Sequence, residues 1–281
     1  MNYQFDRRLG SHMPEWRDQL RVFRDRSLAR STKAPLHDPD ALGPFDIDSD
    51  ALAWAMENSG DPSLLKRLVD LSRTHYGWYS QTVSRAFEGP WIAGRLGDLS
   101  ERRILDIGAG VSPLPLLLAH EGANVVTVDS HPMVRDPGAD RRQWNDWGFL
   151  DYARLDERIT SRHVNILDAD FARSEFAAVY SMSVVEHMPA AIRQALWRHT
   201  RGWLADQGLL LLTVDLAPGT DQLWNLSEGE TVDPDGLHGD LDALVGELEA
   251  NSFCVTEKAV LRDLPNSRTD CALLSAVARS S

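Results

Sequence analysis

Ile104-Leu105-Asp106-Ile107-Gly108-Ala109-Gly110 is the stretch that decides the fold. A short apolar run of strand length ends in a Gly-x-Gly turn, where glycine permits a tight bend and close backbone approach to a ligand. The apolar residues that follow, through His120, open a helix, and a helix N-terminus presents unpaired N–H groups. Gly122 marks its end. Asn124-Val125-Val126-Thr127-Val128-Asp129 is a second strand, rich in β-branched residues. Asp129 stands twenty-one residues after Gly108, about the distance at which an acid grips both hydroxyls of a ribose. Strand, turn, helix, strand and terminal acid form one nucleoside-binding unit.

The ligand of that unit is narrowed by two residues. A dinucleotide fold wants a third glycine so that helix and sheet close around a pyrophosphate, and here that position holds Pro113. Asp106, just before the turn, would repel a pyrophosphate and suits a ligand carrying an amine and a sulfonium. A nicotinamide dehydrogenase is therefore disfavoured.

Outward from this unit, strands are expected near residues 163–166, 177–181 and 209–214, with a helix over 190–204. Residues 253–261 and 272–278 read as a closing antiparallel pair. Alternating strands and helices call for an α/β fold, a mostly parallel sheet with helices on both faces. Upstream, residues 14–33 read as an Arg-rich amphipathic helix and 34–50 as an irregular connection. Asp61-Pro62 starts a further helix, which is expected to run past Tyr76, Trp78 and Tyr79 and to break near Gly89-Pro90. The organisation that follows is a helical N-terminal cap over 1–99, selecting the substrate, and a cofactor-binding domain over 100–281.

Composition excludes other classes. With 43% hydrophobic and 25% charged residues the chain can bury a full core. No stretch approaches the roughly 20 apolar residues of a membrane span, and no apolar leader opens the chain. Cys254 and Cys271 alone cannot make a zinc site and suit a reducing cytoplasm. A net charge of −13 disfavours nucleic-acid partners. That charge is uneven: residues 1–36 hold eight basic and four acidic residues, whereas 202–257 hold twelve acids and no Lys or Arg. Such an acidic stretch is usually a solvated face; as the rim of a site it would attract a cation.

LDIGAG at 105–110, VVTVDS at 125–130 and YSMSVVEHM at 180–188 resemble the class I S-adenosylmethionine-dependent methyltransferases. Ser84-Arg85-Ala86-Phe87-Glu88-Gly89-Pro90-Trp91 is similar to the leader of some bacterial members. The resemblance implies a Rossmann-like seven-stranded sheet whose seventh strand is antiparallel, and S-adenosylmethionine as cofactor. It implies that Asp106, Gly108, Ala109 and Gly110 cradle the methionine part and that Asp129 holds the ribose. Ser130 and His131 would lie beside the adenine, Asn165, Ile166 or Asp168 at its edge, and Ser181 with Met182 beneath the cofactor. Two features depart from the pattern: Ala177 follows Phe176 where an acid is usual, and the segment after the second strand is long and aromatic, with Trp144, Trp147, Phe149 and Tyr152.

The implied activity is methyl transfer to oxygen or nitrogen of a small molecule, including those of secondary metabolism. His187, after the fourth strand, is the candidate base, because imidazole titrates near neutrality. Glu186 beside it reads as structural. Tyr76, Tyr79 and Trp224 are candidate contacts to a cationic or aromatic acceptor. Metal assistance is not expected, since Ser181-Met182-Ser183 stands where a carboxylate would be needed and Asp215 alone is a poor cation site. The alternatives are a methyltransferase for RNA or protein, and a partner protein that binds the cofactor without methylating.

Overall fold

Arg103–Ile107 forms β1 and Asn124–Asp129 forms β2, paired in parallel with Ile107 opposite Val128. The computed structural model describes residues 47–80, 82–131, 133–134, 148–223 and 236–280. Within them, Met133–Val134 and Phe149–Leu150 form a small parallel pair, β3 and β4. The remaining strands are β5 (Ile159–His163), β6 (Phe176–Met182), β7 (Leu204–Leu216), β8 (Phe253–Leu261) and β9 (Asp270–Ala278). The main sheet has seven strands in the order β5-β2-β1-β6-β7-β9-β8. β9 lies between β7 and β8 and is antiparallel to both, so it is the reversed strand of an otherwise parallel sheet.

The helices are α1 (Ser49–Asn58), α2 (Pro62–Tyr76), α3 (Arg85–Leu96), α4 (Leu114–His120), α5 (Ala190–Trp203) and α6 (Leu241–Ala250). Side chains alternate across the strands, so each face of the sheet builds its own core. On one face Ile104, Val125, Ala178, Tyr180 and Leu211 pack with α1 to α4. On the other, Leu105, Val126, Val179 and Leu212 pack with α5 and α6. The N-terminal helices thus share a continuous core with the sheet. Segment 14–33 lies outside the described residues.

Three local expectations are corrected. The helix from Pro62 stops at Tyr76, because Gly77 takes a left-handed cap at φ 82° and returns its N–H to the Arg73 carbonyl. Gly89 and Pro90 do not break a helix but lie inside α3. There Gly89 lets α2 come close: a Cβ would sit 3.0 Å from Leu68 Cδ1. The strand expected at 163–166 runs instead over Ile159–His163, and Asn165 caps a short 3-10 turn, Ile166–Asp168, by accepting the Leu167 N–H.

Candidate cofactor and acceptor site

The Gly-x-Gly turn follows β1 with Gly108 at φ 75° and Gly110 at φ 55°, conformations that favour glycine. Gly108 N–H bonds to the Val128 carbonyl at 2.8 Å, which fixes the turn against β2. A Cβ on Gly108 would fall 2.5 Å from Val184 Cγ2. The turn is braced from behind by two buried tyrosines. Tyr152 accepts the Ser112 N–H at 2.7 Å and donates to the Gly110 carbonyl at 3.0 Å, while Tyr76 donates to the Ser112 carbonyl at 2.9 Å.

A cleft opens at the carboxyl ends of β1 and β2. Gly108, Asp129, Ser130, Asn165 and Ile166 line it, together with Val184 and Met188 after β6. The sequence therefore placed five of its cofactor residues around one cleft. Ala109 and Gly110 belong to its turn. Ser181 is buried and donates to the Ile107 carbonyl at 2.9 Å, joining β6 to the end of β1. Met182 ends β6, half-buried, and Asp168 is exposed and outside the cleft lining.

Asp129 is buried, and both its oxygens already have protein donors. Gly110 N–H reaches Oδ2 at 2.9 Å, and His131 N–H reaches Oδ1 at 2.7 Å with its ring Nδ1 at 3.0 Å. Burial by itself would raise the pKa, but these bonds and the His131 charge outweigh it and hold the carboxyl below its usual range. Asp106 behaves oppositely. Burial, with the neighbouring Asp129 charge adding to it, pushes its pKa up to about 8 against the pull of the Tyr180 hydroxyl, 2.8 Å from Oδ2. A glycine turn at the end of β1, an acid at the end of β2 and a cleft lined by both fit the nucleoside part of S-adenosylmethionine.

That pKa gives a pH dependence with a definite sign. A cationic ligand favours ionised Asp106, and a group raised to about 8 is mostly protonated at lower pH. Affinity for S-adenosylmethionine should rise about tenfold per pH unit between about 6 and 7.5 and level off above 8, since one proton leaves on binding. Calorimetry in buffers of different ionisation heat measures that proton directly. Asp106→Asn should flatten the profile; an unchanged slope would remove Asp106 as its origin.

Beside this cleft, α3 covers the carboxyl ends of β6 and β7. Glu88 of α3 is fully buried there. Its Oε1 accepts the Ser183 hydroxyl at 2.6 Å and the Thr213 hydroxyl at 2.7 Å, and Arg85 donates to Oε2 at 2.7 Å. Burial alone would raise its pKa, but Arg85 and the two hydroxyls more than offset it and hold it low. Ser183 adopts φ 50°, a left-handed conformation unusual for serine, of the kind found at functional sites. Glu88 is a residue that sequence reasoning missed; its one signal was an acid amid apolar neighbours in Ala86-Phe87-Glu88-Gly89-Pro90.

His187 sits in the 3-10 turn Val185–His187 with its side chain 15% exposed. Burial, followed by repulsion from His238, Arg85 and His131, pushes its pKa down to about 3. A ring held neutral that strongly accepts a proton poorly, so its surroundings do not support the expected role as base. Tyr76 and Tyr79 are buried in the core, with the Tyr79 hydroxyl on the Arg85 carbonyl at 2.9 Å, and brace backbone where acceptor contact was expected. Trp224 lies outside the described residues. Among the described residues no three His, Cys, Asp or Glu side chains are placed to hold a metal ion, and no helix is long and apolar enough to cross a membrane.

A doubly wound sheet with a cofactor cleft where the strand order reverses defines the Rossmann-like class of nucleoside-cofactor enzymes. The sequence profile of the methyltransferase-domain family matches residues 79–244, more than half of the chain, and the chain belongs to that family. It is an S-adenosylmethionine-dependent methyltransferase.

Solved structures agree on the fold. One similar chain is described as an S-adenosylmethionine-dependent methyltransferase of Listeria monocytogenes, with 18% identity, 70% of this chain and 99% of that chain covered, and TM-score 0.51. Another is a phosphoethanolamine N-methyltransferase 2 of Haemonchus contortus, with 13% identity, 82% and 60% covered, and TM-score 0.53. The [4+2]-cyclase SpnF shares the fold as well, with 16% identity, 71% and 83% covered, and TM-score 0.52. No curated protein is similar enough in sequence to count as a relative.

Proposed function

We propose that the chain methylates a small molecule at oxygen or nitrogen, in the cytoplasm. The observation that carries this reading is the roof over the acceptor side. α3 lies across the ends of β6, β7 and β9 and is tied down through Glu88, whose Oε1 binds Ser183 and Thr213 and lies 3.7 Å from the Cys271 thiol. A helix laid over these strand ends beside the cleft suits a small acceptor better than a polymer, and the net charge of −13 works against nucleic acid. Two free cysteines suit a reducing compartment.

When bound, the cofactor supplies a methyl group on a positively charged sulfur. The chain's own contribution is positional. Gly108 and Gly110 set the turn, Asp129 fixes the ribose end, and Glu88, bonded to Ser183 and Thr213, fixes α3 over the ends of β6 and β7. Holding reactants in line can supply much of the rate of such a displacement.

The test is incubation with methyl-labelled S-adenosylmethionine and separate pools of small amines, small phenols, total RNA and protein. Label in a small-molecule pool is the expected result. Label in RNA or protein would overturn the acceptor class. Cofactor binding without label in any pool would favour the non-methylating alternative.

A further inference from the structure

Glu186 and Asp215 stand beside the cofactor cleft as two buried acids whose charge the described residues leave largely unanswered. Glu186 is fully buried in the turn after β6, between Val184 and Met188, which both line the cleft. Its Oε1 accepts the Asp215 backbone N–H at 2.9 Å. Its Oε2 is buried and has no hydrogen-bond donor among the described residues. Asp215, near the end of β7, is 8% exposed, and its carboxylate accepts the Thr269 hydroxyl at 3.2 Å.

The surrounding charges do not settle the pair. From α3 come Glu88 and Arg85, and Arg85 is bonded to Glu88. From β9 comes the neutral Cys271 thiol, and from the turn itself His187, with Nε2 4.0 Å from Glu186 Oε1. His238 acts on His187. A carboxylate buried without a full set of partners is costly, and such groups concentrate where a ligand completes them.

We infer that Glu186 and Asp215 form the acceptor subsite and take a cationic amine, whose N–H groups bond to Glu186 Oε2 and to the Asp215 carboxylate. This rests on the methyltransferase reading above and narrows its acceptor from oxygen or nitrogen to nitrogen: the bound ammonium passes one proton to the Asp215 carboxylate, which frees the nitrogen lone pair that accepts the methyl group. An alcohol brings one donor and no charge, and a carboxylate or phosphate would be repelled. Burial first, then repulsion between neighbouring acids, raises both groups, Asp215 to about 7 and Glu186 well above its usual range. Amine affinity should therefore increase from pH 6 to 8, as Asp215 gives up its proton, and fall again when the amine loses its own.

The experiment uses the protein saturated with S-adenosylhomocysteine and ligand-observed NMR. The probes are benzylamine and phenethylamine, the matching alcohols, and the matching carboxylates. The amines should bind at about millimolar Kd, and the alcohols and carboxylates about tenfold or more weakly. Glu186→Gln with Asp215→Asn keeps the shapes and removes the charges, so the fold should survive while amine binding drops about tenfold or more. Asp215→Asn alone, which keeps the Glu186 bond to the backbone, should give a smaller drop of the same sign. Alcohols or carboxylates that bind as well as the amines would overturn the inference. So would amines that bind the double variant as well as the wild type, or a protein that binds S-adenosylhomocysteine and no amine. Failure of the wild type to bind S-adenosylhomocysteine would instead strike the methyltransferase reading beneath it.

Discussion

Gly108→Ala should weaken S-adenosylhomocysteine binding by about a hundredfold or more, through two independent effects. The residue holds φ 75°, and a side chain in that region costs about 1–2 kcal/mol. The new Cβ would also lie 2.5 Å from Val184 Cγ2 and 2.8 Å from Cγ1, closer than carbon atoms approach without movement. Either the turn or Val184 has to shift, and both line the cleft. Val184→Ala in the same chain should restore part of the affinity, because the remaining neighbour would be the residue 184 Cβ at 3.1 Å. The backbone strain would persist, so recovery should stay incomplete. Calorimetry on the single and double variants separates the two effects. Undiminished affinity in Gly108→Ala would remove this turn from the cofactor site.

Arg193→Met should lower global stability by about 3–5 kcal/mol, measured by urea unfolding. Arg193 is fully buried in α5 and grips Glu247 of α6 with Nε at 2.9 Å and Nη2 at 2.6 Å. It also donates to the Met188 carbonyl at 2.6 Å and the His238 carbonyl at 2.7 Å. Removing it strands Glu247, which among the described residues keeps only the Trp197 indole N–H, at 3.0 Å, as a donor. Arg193→Met with Glu247→Leu removes both charges and should recover most of the loss. Because Met188 lines the cleft, the single variant should bind S-adenosylhomocysteine more weakly as well. A single variant as stable as the wild type would mean that the pair does not hold α5 to α6.

The elements that frame the candidate cofactor cleft are legible in the sequence because they are local. Gly108, Gly110 and Asp129 act through turn geometry and strand ends, and both strands occur at the residues where β-branched and apolar runs place them. β5 was misplaced because it is an edge strand that buries Ile159 alone and is otherwise polar, so it lacks an apolar run. The Gly89-Pro90 break was misjudged because local propensity yields to packing: α3 is buried along Ala86–Pro90.

The contacts beneath α3 are hardly legible. Glu88 gains its meaning from Ser183, Thr213 and Cys271, which lie 95, 125 and 183 residues away along the chain. No spacing rule connects them. His187 is the expected base from its intrinsic pKa, and burial first, then repulsion from His238, Arg85 and His131, all set by the fold, lowers that value. Tyr76 and Tyr79, candidate acceptor contacts by their chemistry, are buried, as aromatic residues at helical spacing usually are.

The most direct test of the cleft between Gly108 and Asp129 is calorimetric titration of wild type and Asp129→Ala with S-adenosylhomocysteine, with NAD in parallel. Wild type should bind S-adenosylhomocysteine at one site and give no heat with NAD. Asp129→Ala should lose about 10- to 100-fold in affinity, the effect of removing a charged acceptor of ribose hydroxyls. Equal affinity in the variant, or binding of NAD in place of S-adenosylhomocysteine, would place the cofactor elsewhere.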